Sequence, residues 1–110
     1  MFYTHSDKGY REVLPLIRIK TISYGDRTLT VEFRMAAGAK LPNHAHLHEQ
    51  AGFLAAGRIR LYIGGATFDV RPGDAWTIPG NVEHGADIVE ESVAVEVFSP
   101  VREDYLPENA

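Results

Sequence analysis

Hydrophobic and polar residues alternate with a period of two along most of the chain. Leu29, Val31, Phe33 and Met35 interleave with Thr28, Thr30, Glu32 and Arg34. Ile59, Leu61 and Ile63 interleave with Arg58, Arg60 and Tyr62, and Val93, Val95 and Val97 with Ala94, Glu96 and Phe98. Successive side chains of an extended chain point to opposite faces, so each run predicts a half-buried strand. Turn residues fall between the runs. Gly25-Asp26 separates two strands, Gly64-Gly65 suits a two-residue hairpin, and Arg71-Pro72-Gly73-Asp74 suits a type II turn. No segment carries a helical stripe. Short strands at regular spacing predict an all-β sandwich or barrel. The expectation is a single domain over residues 1–110, with its core at about 13–99, an N-terminal arm over 1–12 and a polar tail after Pro100.

Periodicity separates the two faces of a strand without saying which is inside. For residues 58–63 the aliphatic face is expected in the core and the arginines in water. For the last strand two readings stay open. Either Glu96 is solvated and Phe98 lies under the C-terminal tail, or Glu96 faces the interior with Arg102 returning over it. Trp76 is expected to pack inside the barrel, with stacking on a sugar face as the alternative.

Composition narrows the function classes. The chain has 110 residues and no cysteine, which excludes disulfides, thiolate metal sites and a cysteine nucleophile. Its net charge is −4 and its basic residues are scattered, which argues against nucleic acid and against an anionic membrane surface. No apolar run approaches the roughly 18 residues of a membrane span. With no charged-then-apolar leader pattern at the N-terminus, a soluble cytoplasmic protein is expected.

The chemistry sits in two short stretches. One is Gly38-Ala-Lys-Leu-Pro-Asn-His44-Ala-His46-Leu-His48-Glu49-Gln50, and the other is Pro79-Gly-Asn81-Val-Glu-His84-Gly85. Residues two apart on an extended segment face the same way, so His44 and His46 can reach one ion from one wall. Gln50 and His48 share that parity, and His84 can close the site from another strand. His48 is expected at the rim or behind a ligand, Glu49 facing away, and His5 in solvent.

The spacing Gly38-x5-His44-x-His46-x3-Gln50-x6-Gly57 resembles the first motif of the cupin family, and Gly73-x5-Pro79-x-Asn81-x2-His84 resembles the second. The resemblance covers most of residues 29–99. It implies a double-stranded β-helix, the closed jelly-roll barrel of cupins, with the motif histidines in its mouth. It also implies one divalent transition metal, such as nickel, zinc, manganese or iron, held by His44, His46, Gln50 and His84. Three positions depart from the motifs. Gln50 stands where the first motif has a glutamate, Asn81 where the second has a glycine, and Ile88 where it ends in asparagine. A ligand set without a carboxylate is neutral, leaving the ion a stronger Lewis acid and a stronger attractor of anions.

The stretches HLHEQAGFLAAGR and VFSPVREDYL further resemble the small cupins of pectin and alginate breakdown, which open unsaturated uronate rings to linear keto-sugar acids. In that group an acidic residue, a phenylalanine two positions on and an arginine four positions later are linked to activity. Those positions are Glu96, Phe98 and Arg102, with Glu96 in place of the usual aspartate. The resemblance implies a small carboxylate-bearing substrate. The other readings are a metal-dependent dioxygenase and a ligand-binding cupin without turnover. A homodimer is expected, with Leu29–Met35 as the strand that pairs across subunits.

Overall fold

A computed structural model describes residues 1–107. Eight strands order the described residues: β1 (Arg11–Leu14), β2 (Ile17–Tyr24), β3 (Leu29–Met35), β4 (Lys40–His44), β5 (Glu49–Ile63), β6 (Ala66–Val70), β7 (Ala75–Ile78) and β8 (His84–Ser99). One 3-10 turn, Glu103–Tyr105, follows. All pairings are antiparallel.

The two long strands build the barrel by serving both of its walls. The second half of β8 lies between β3 and the first half of β5, which pairs β7 on its other side. The first half of β8 lies between β4 and the second half of β5, which pairs β6. The β5–β8 register breaks three times between Leu54 and Ile59. Extra residues bend a strand and strengthen its twist, which lets one strand cross from wall to wall. Gly57 sits at this corner with φ +93°, and a Cβ there would lie 2.2 Å from Ser92 Oγ and 2.3 Å from the Glu91 carbonyl oxygen. Only glycine fits both the backbone and the space.

Turns follow their chemistry. Ile63 pairs with Ala66 across Gly64-Gly65. Gly73 takes φ +95°, the Asp74 amide donates to the Arg71 carbonyl at 3.0 Å, and the Arg71 amide donates to Asp74 Oδ2 at 2.9 Å. The N-terminal arm is better tied than its composition suggests. Arg11 and Glu12 already belong to β1, the Tyr3 hydroxyl donates to the Tyr24 carbonyl, and Lys20 Nζ donates to the Ser6 carbonyl.

The core takes Leu29, Val31, Phe33 and Met35 from β3 and Ile59 and Leu61 from β5, with Arg60 in solvent, as the alternation predicts. In the last strand the valines lose the interior. Ala94, Glu96 and Phe98 are buried, whereas Val93, Val95 and Val97 lie half-buried on the outer face. Register explains this. Phe98, Glu96 and Ala94 stand opposite Leu29, Val31 and Phe33 of β3, and opposite Gln50, Gly52 and Leu54 of β5. Directly paired residues share a face, so the inward face of β3 sets that of β8. The pairing of Leu29–Met35 across subunits is closed off, because β2 and β8 occupy both edges of β3.

Candidate metal centre

Three imidazoles converge at one end of the barrel. His44 ends β4, His84 begins β8 directly opposite it, and His46 lies in the loop that leads to β5. One ring nitrogen from each lies within 4.8 Å of the other two, so the three can hold a metal ion. Two loops fix the arrangement. The Asn81 amide donates to the His46 carbonyl at 2.7 Å, with Asn81 at φ 64° in the left-handed region that asparagine tolerates. Gly80 presses on the other loop so closely that a Cβ would lie 2.4 Å from the Leu47 carbonyl oxygen.

Each ring is oriented from behind. Nδ1 of His44 donates to the Pro42 carbonyl at 2.8 Å, Nδ1 of His84 to that of Val82 at 2.8 Å, and Nδ1 of His46 to that of His48 at 3.0 Å. A proton spent on Nδ1 leaves the Nε2 lone pair free for a metal. His48 serves the site through its backbone; its ring is outside the three-histidine group. Burial, followed by the nearby Arg102 charge and the other two imidazoles, lowers the His46 pKa to about 4. Burial also lowers that of His84, partly offset by its bond to Val82. Both are therefore neutral at pH 7, the state a metal ligand requires.

Gln50 is 4% exposed and extends from β5 into the same cavity. Its Nε2 donates to Glu96 Oε1 at 2.7 Å, which turns its Oε1 the other way. Gln50 Oε1, His46 Nε2 and His84 Nε2 are all buried without a hydrogen-bond partner. Buried acceptors are almost always satisfied, and neutral nitrogen and amide oxygen donors suit a divalent first-row ion.

Glu96 is 8% exposed, and its Oε1 also accepts from Trp76 Nε1 at 3.0 Å. Burial raises its pKa, against the opposing pull of the two hydrogen bonds and of Arg102. Phe98 is buried beside it, edge-on to His46 and to Tyr105. Arg102 lies over Tyr105, 4.0 Å from the ring centre, and over Phe98, and it grips Asp104 through Nη2 at 2.9 Å and Nε at 3.3 Å. Glu96, Phe98 and Arg102 thus line one cavity with His44, Gln50 and His84. Trp76 and Tyr105 line it too; Trp76 packs inside the barrel against the core, and its hydrogen bond to Glu96 is not among the roles the sequence pattern offers. The available signal for Trp76 is Gly52, which means nothing until β5 and β7 pair them. Ile88, at the departed end of the second motif, is buried in the core.

Comparison with known proteins agrees with this geometry. The cupin domain family matches residues 31–100. The pectin degradation protein KdgF of Dickeya dadantii (strain 3937) is 32% identical over 107 residues, which cover 96% of this chain and 97% of that protein. The structure of KdgF from Halomonas sp. superposes with a TM-score of 0.91 at 29% identity, covering 96% of this chain and 98% of the other. An RmlC-like cupin from Shewanella frigidimarina matches the fold equally well, with a TM-score of 0.91 over 96% of each chain at 21% identity. No helix among the described residues is long and apolar enough to cross a membrane. With two histidine motifs, a barrel of two shared walls and a family match over most of its length, the chain belongs to the cupin family and is related to KdgF.

Proposed function

We propose that this cupin opens the ring of a small unsaturated uronate, using a divalent metal held by His44, His46, Gln50 and His84. The observation that carries the proposal is the convergence of three imidazoles, two of them with a buried, partnerless Nε2 (His46 and His84), at a cavity that His84, Gln50 with its partnerless Oε1 and the buried Glu96 carboxyl group line together. The full-length likeness to KdgF supports the substrate class.

The reaction is an isomerisation and needs no co-reactant. The proton leaves the anomeric hydroxyl, the bond from C1 to the ring oxygen breaks, and an aldehyde forms at C1. The ring oxygen becomes the enol oxygen at C5, and C4 takes a proton as the enol becomes a ketone. The metal supplies Lewis acidity toward substrate oxygens, enhanced by the neutral ligand set. Glu96 carries the proton between oxygen and carbon through Oε2, since Oε1 already accepts two hydrogen bonds. Burial raises its pKa, which favours a carboxyl group that gives a proton as well as takes one. Arg102 receives the substrate carboxylate in place of the exposed Asp104, exchanging one two-pronged partner for another. Phe98 forms the apolar wall beside the ring. The protein acts as a homodimer through the outer sheet face, where exposed Phe53 stands opposite Val95.

The test is a metal-replete assay with unsaturated galacturonate, following loss of its conjugated ultraviolet absorbance beside a His46→Ala control. Metal-dependent loss above the spontaneous rate, absent in the control, is expected. Absence of acceleration with metal demonstrably bound would remove the proposal, and oxygen uptake with iron alone would replace it with dioxygenase chemistry.

A further inference from the structure

We infer that Trp76 is a positioning residue, holding Glu96, and through it Gln50, in the orientation that the metal centre needs. The catalytic part of this inference rests on the function proposed above; the metal-binding part stands without it.

Trp76, Gly52 and Glu96 form one row across three strands, Gly52 being paired with Trp76 on one side and with Glu96 on the other. Neighbouring strands lie about 4.8 Å apart, so the backbones of Trp76 and Glu96 are separated by about 10 Å. A side chain can bridge that gap only by crossing a bare position. Gly52 is that position. A Cβ there would lie 2.1 Å from the indole Cε2, 2.2 Å from Nε1 and 2.4 Å from Cζ2, so the indole rests on the strand itself. Its Nε1 reaches Glu96 Oε1 at 3.0 Å.

Gln50 Nε2 donates to the same oxygen at 2.7 Å. Two donors on one oxygen define the plane of the carboxyl group and leave Oε2 as its free atom. A carboxamide has nearly the same shape after a half-turn, so packing alone does not choose which end faces the histidines. Glu96 chooses, because it takes the nitrogen and so turns Oε1 toward the metal side. Trp76 in turn keeps Glu96 in place to make that choice. The indole N–H can only donate, so the arrangement requires an acceptor at position 96. Bulk alone would not need this nitrogen, because an all-carbon ring fills the same space.

The chain has one tryptophan, so biosynthetic replacement alters this position alone. The replacement is a benzothienyl-alanine, which has the same shape with sulfur in place of the N–H. Zinc and nickel binding to the intact protein are measured by calorimetry, alongside turnover of unsaturated galacturonate. The metal-free melting temperature is expected to stay close to that of the native protein. Metal affinity is expected to fall about 10-fold, the lower end of what losing an orienting partner costs a metal site. kcat is expected to fall by a similar factor with KM little changed. Gly52→Ala, which pushes the indole off the strand, is expected to reproduce the loss of affinity. Native metal affinity in the replaced protein overturns the inference. Lack of turnover in the native protein refutes the proposed function, and the affinity comparison still decides the role of Trp76.

Discussion

Gln50→Glu restores the residue usual at this place in the first cupin motif, and on the proposed function it is expected to lower turnover while preserving the capacity to bind a metal. In the native site Gln50 Nε2 donates to Glu96 Oε1 at 2.7 Å. Glutamate at position 50 replaces that donor with a second carboxylate oxygen. Two carboxylates in contact cannot both ionise, and one must keep a proton. Charge centres about 4 Å apart at an effective dielectric constant of about 20 repel by about 4 kcal/mol. The carboxylate on the metal stays ionised, so the rise falls on Glu96, whose pKa burial has already raised. Glu96 then holds its proton more firmly and is a poorer acceptor for the substrate proton. Loss of a general base costs roughly 10²- to 10⁴-fold in rate. The assay pairs calorimetric metal titration with pH–rate profiles on unsaturated galacturonate. Native or tighter metal affinity is expected, with kcat reduced near pH 7 and the low-pH limb of the profile moved to higher pH. A Gln50→Glu protein that binds metal and turns over at the native rate between pH 6 and 8 would refute the reasoning.

Glu96→Gln keeps an acceptor for Trp76 and Gln50, so the fold and metal affinity should persist while turnover falls by roughly 10² to 10⁴; full turnover with metal bound removes Glu96 from the chemistry. Gly57→Ala should cost more than about 1–3 kcal/mol in urea unfolding, because it combines a forbidden φ with a clash against Glu91 and Ser92; native stability would show that the corner can relax. In the chelated protein, His46 titrates near 4 when folded and near its usual 6.5 when unfolded. The unfolded chain therefore takes the proton first as pH falls, and His46 contributes stability that is present above about 6.5 and lost toward about 4. Compared with His46→Ala, the native protein should lose additional melting temperature across that interval, and parallel curves would contradict the shift.

Much of this is written in local pattern. Alternation over Leu29–Met35 and Ile59–Ile63 determines strands and, through hydrophobicity, their inward faces. Gly64-Gly65 and Pro72-Gly73 determine turns because few other residues accept those dihedrals. The spacing of His44, His46, Gln50 and His84 contains enough chemistry to suggest one metal site, although His46 reaches it from the loop before β5 and His84 from the neighbouring strand rather than by parity along one strand. What the chain could not state locally is which face of β8 is inside. Val93, Val95 and Val97 are the more hydrophobic set, yet Ala94, Glu96 and Phe98 face the cavity. Their pairing with β3 and β5 overrides the local preference, because paired residues must share a face and β3 has already committed its own. Trp76 is hidden for the same reason. Its reach to Glu96 depends on a bare Gly52 lying between them, and the three residues become neighbours only when β5, β7 and β8 lie side by side. Period and composition are properties of a segment, whereas burial of a carboxyl group and the aim of a hydrogen bond arise from strands distant in sequence. The tertiary structure therefore decides which residues meet in the candidate metal centre, and the sequence alone decides which residues are available to do so.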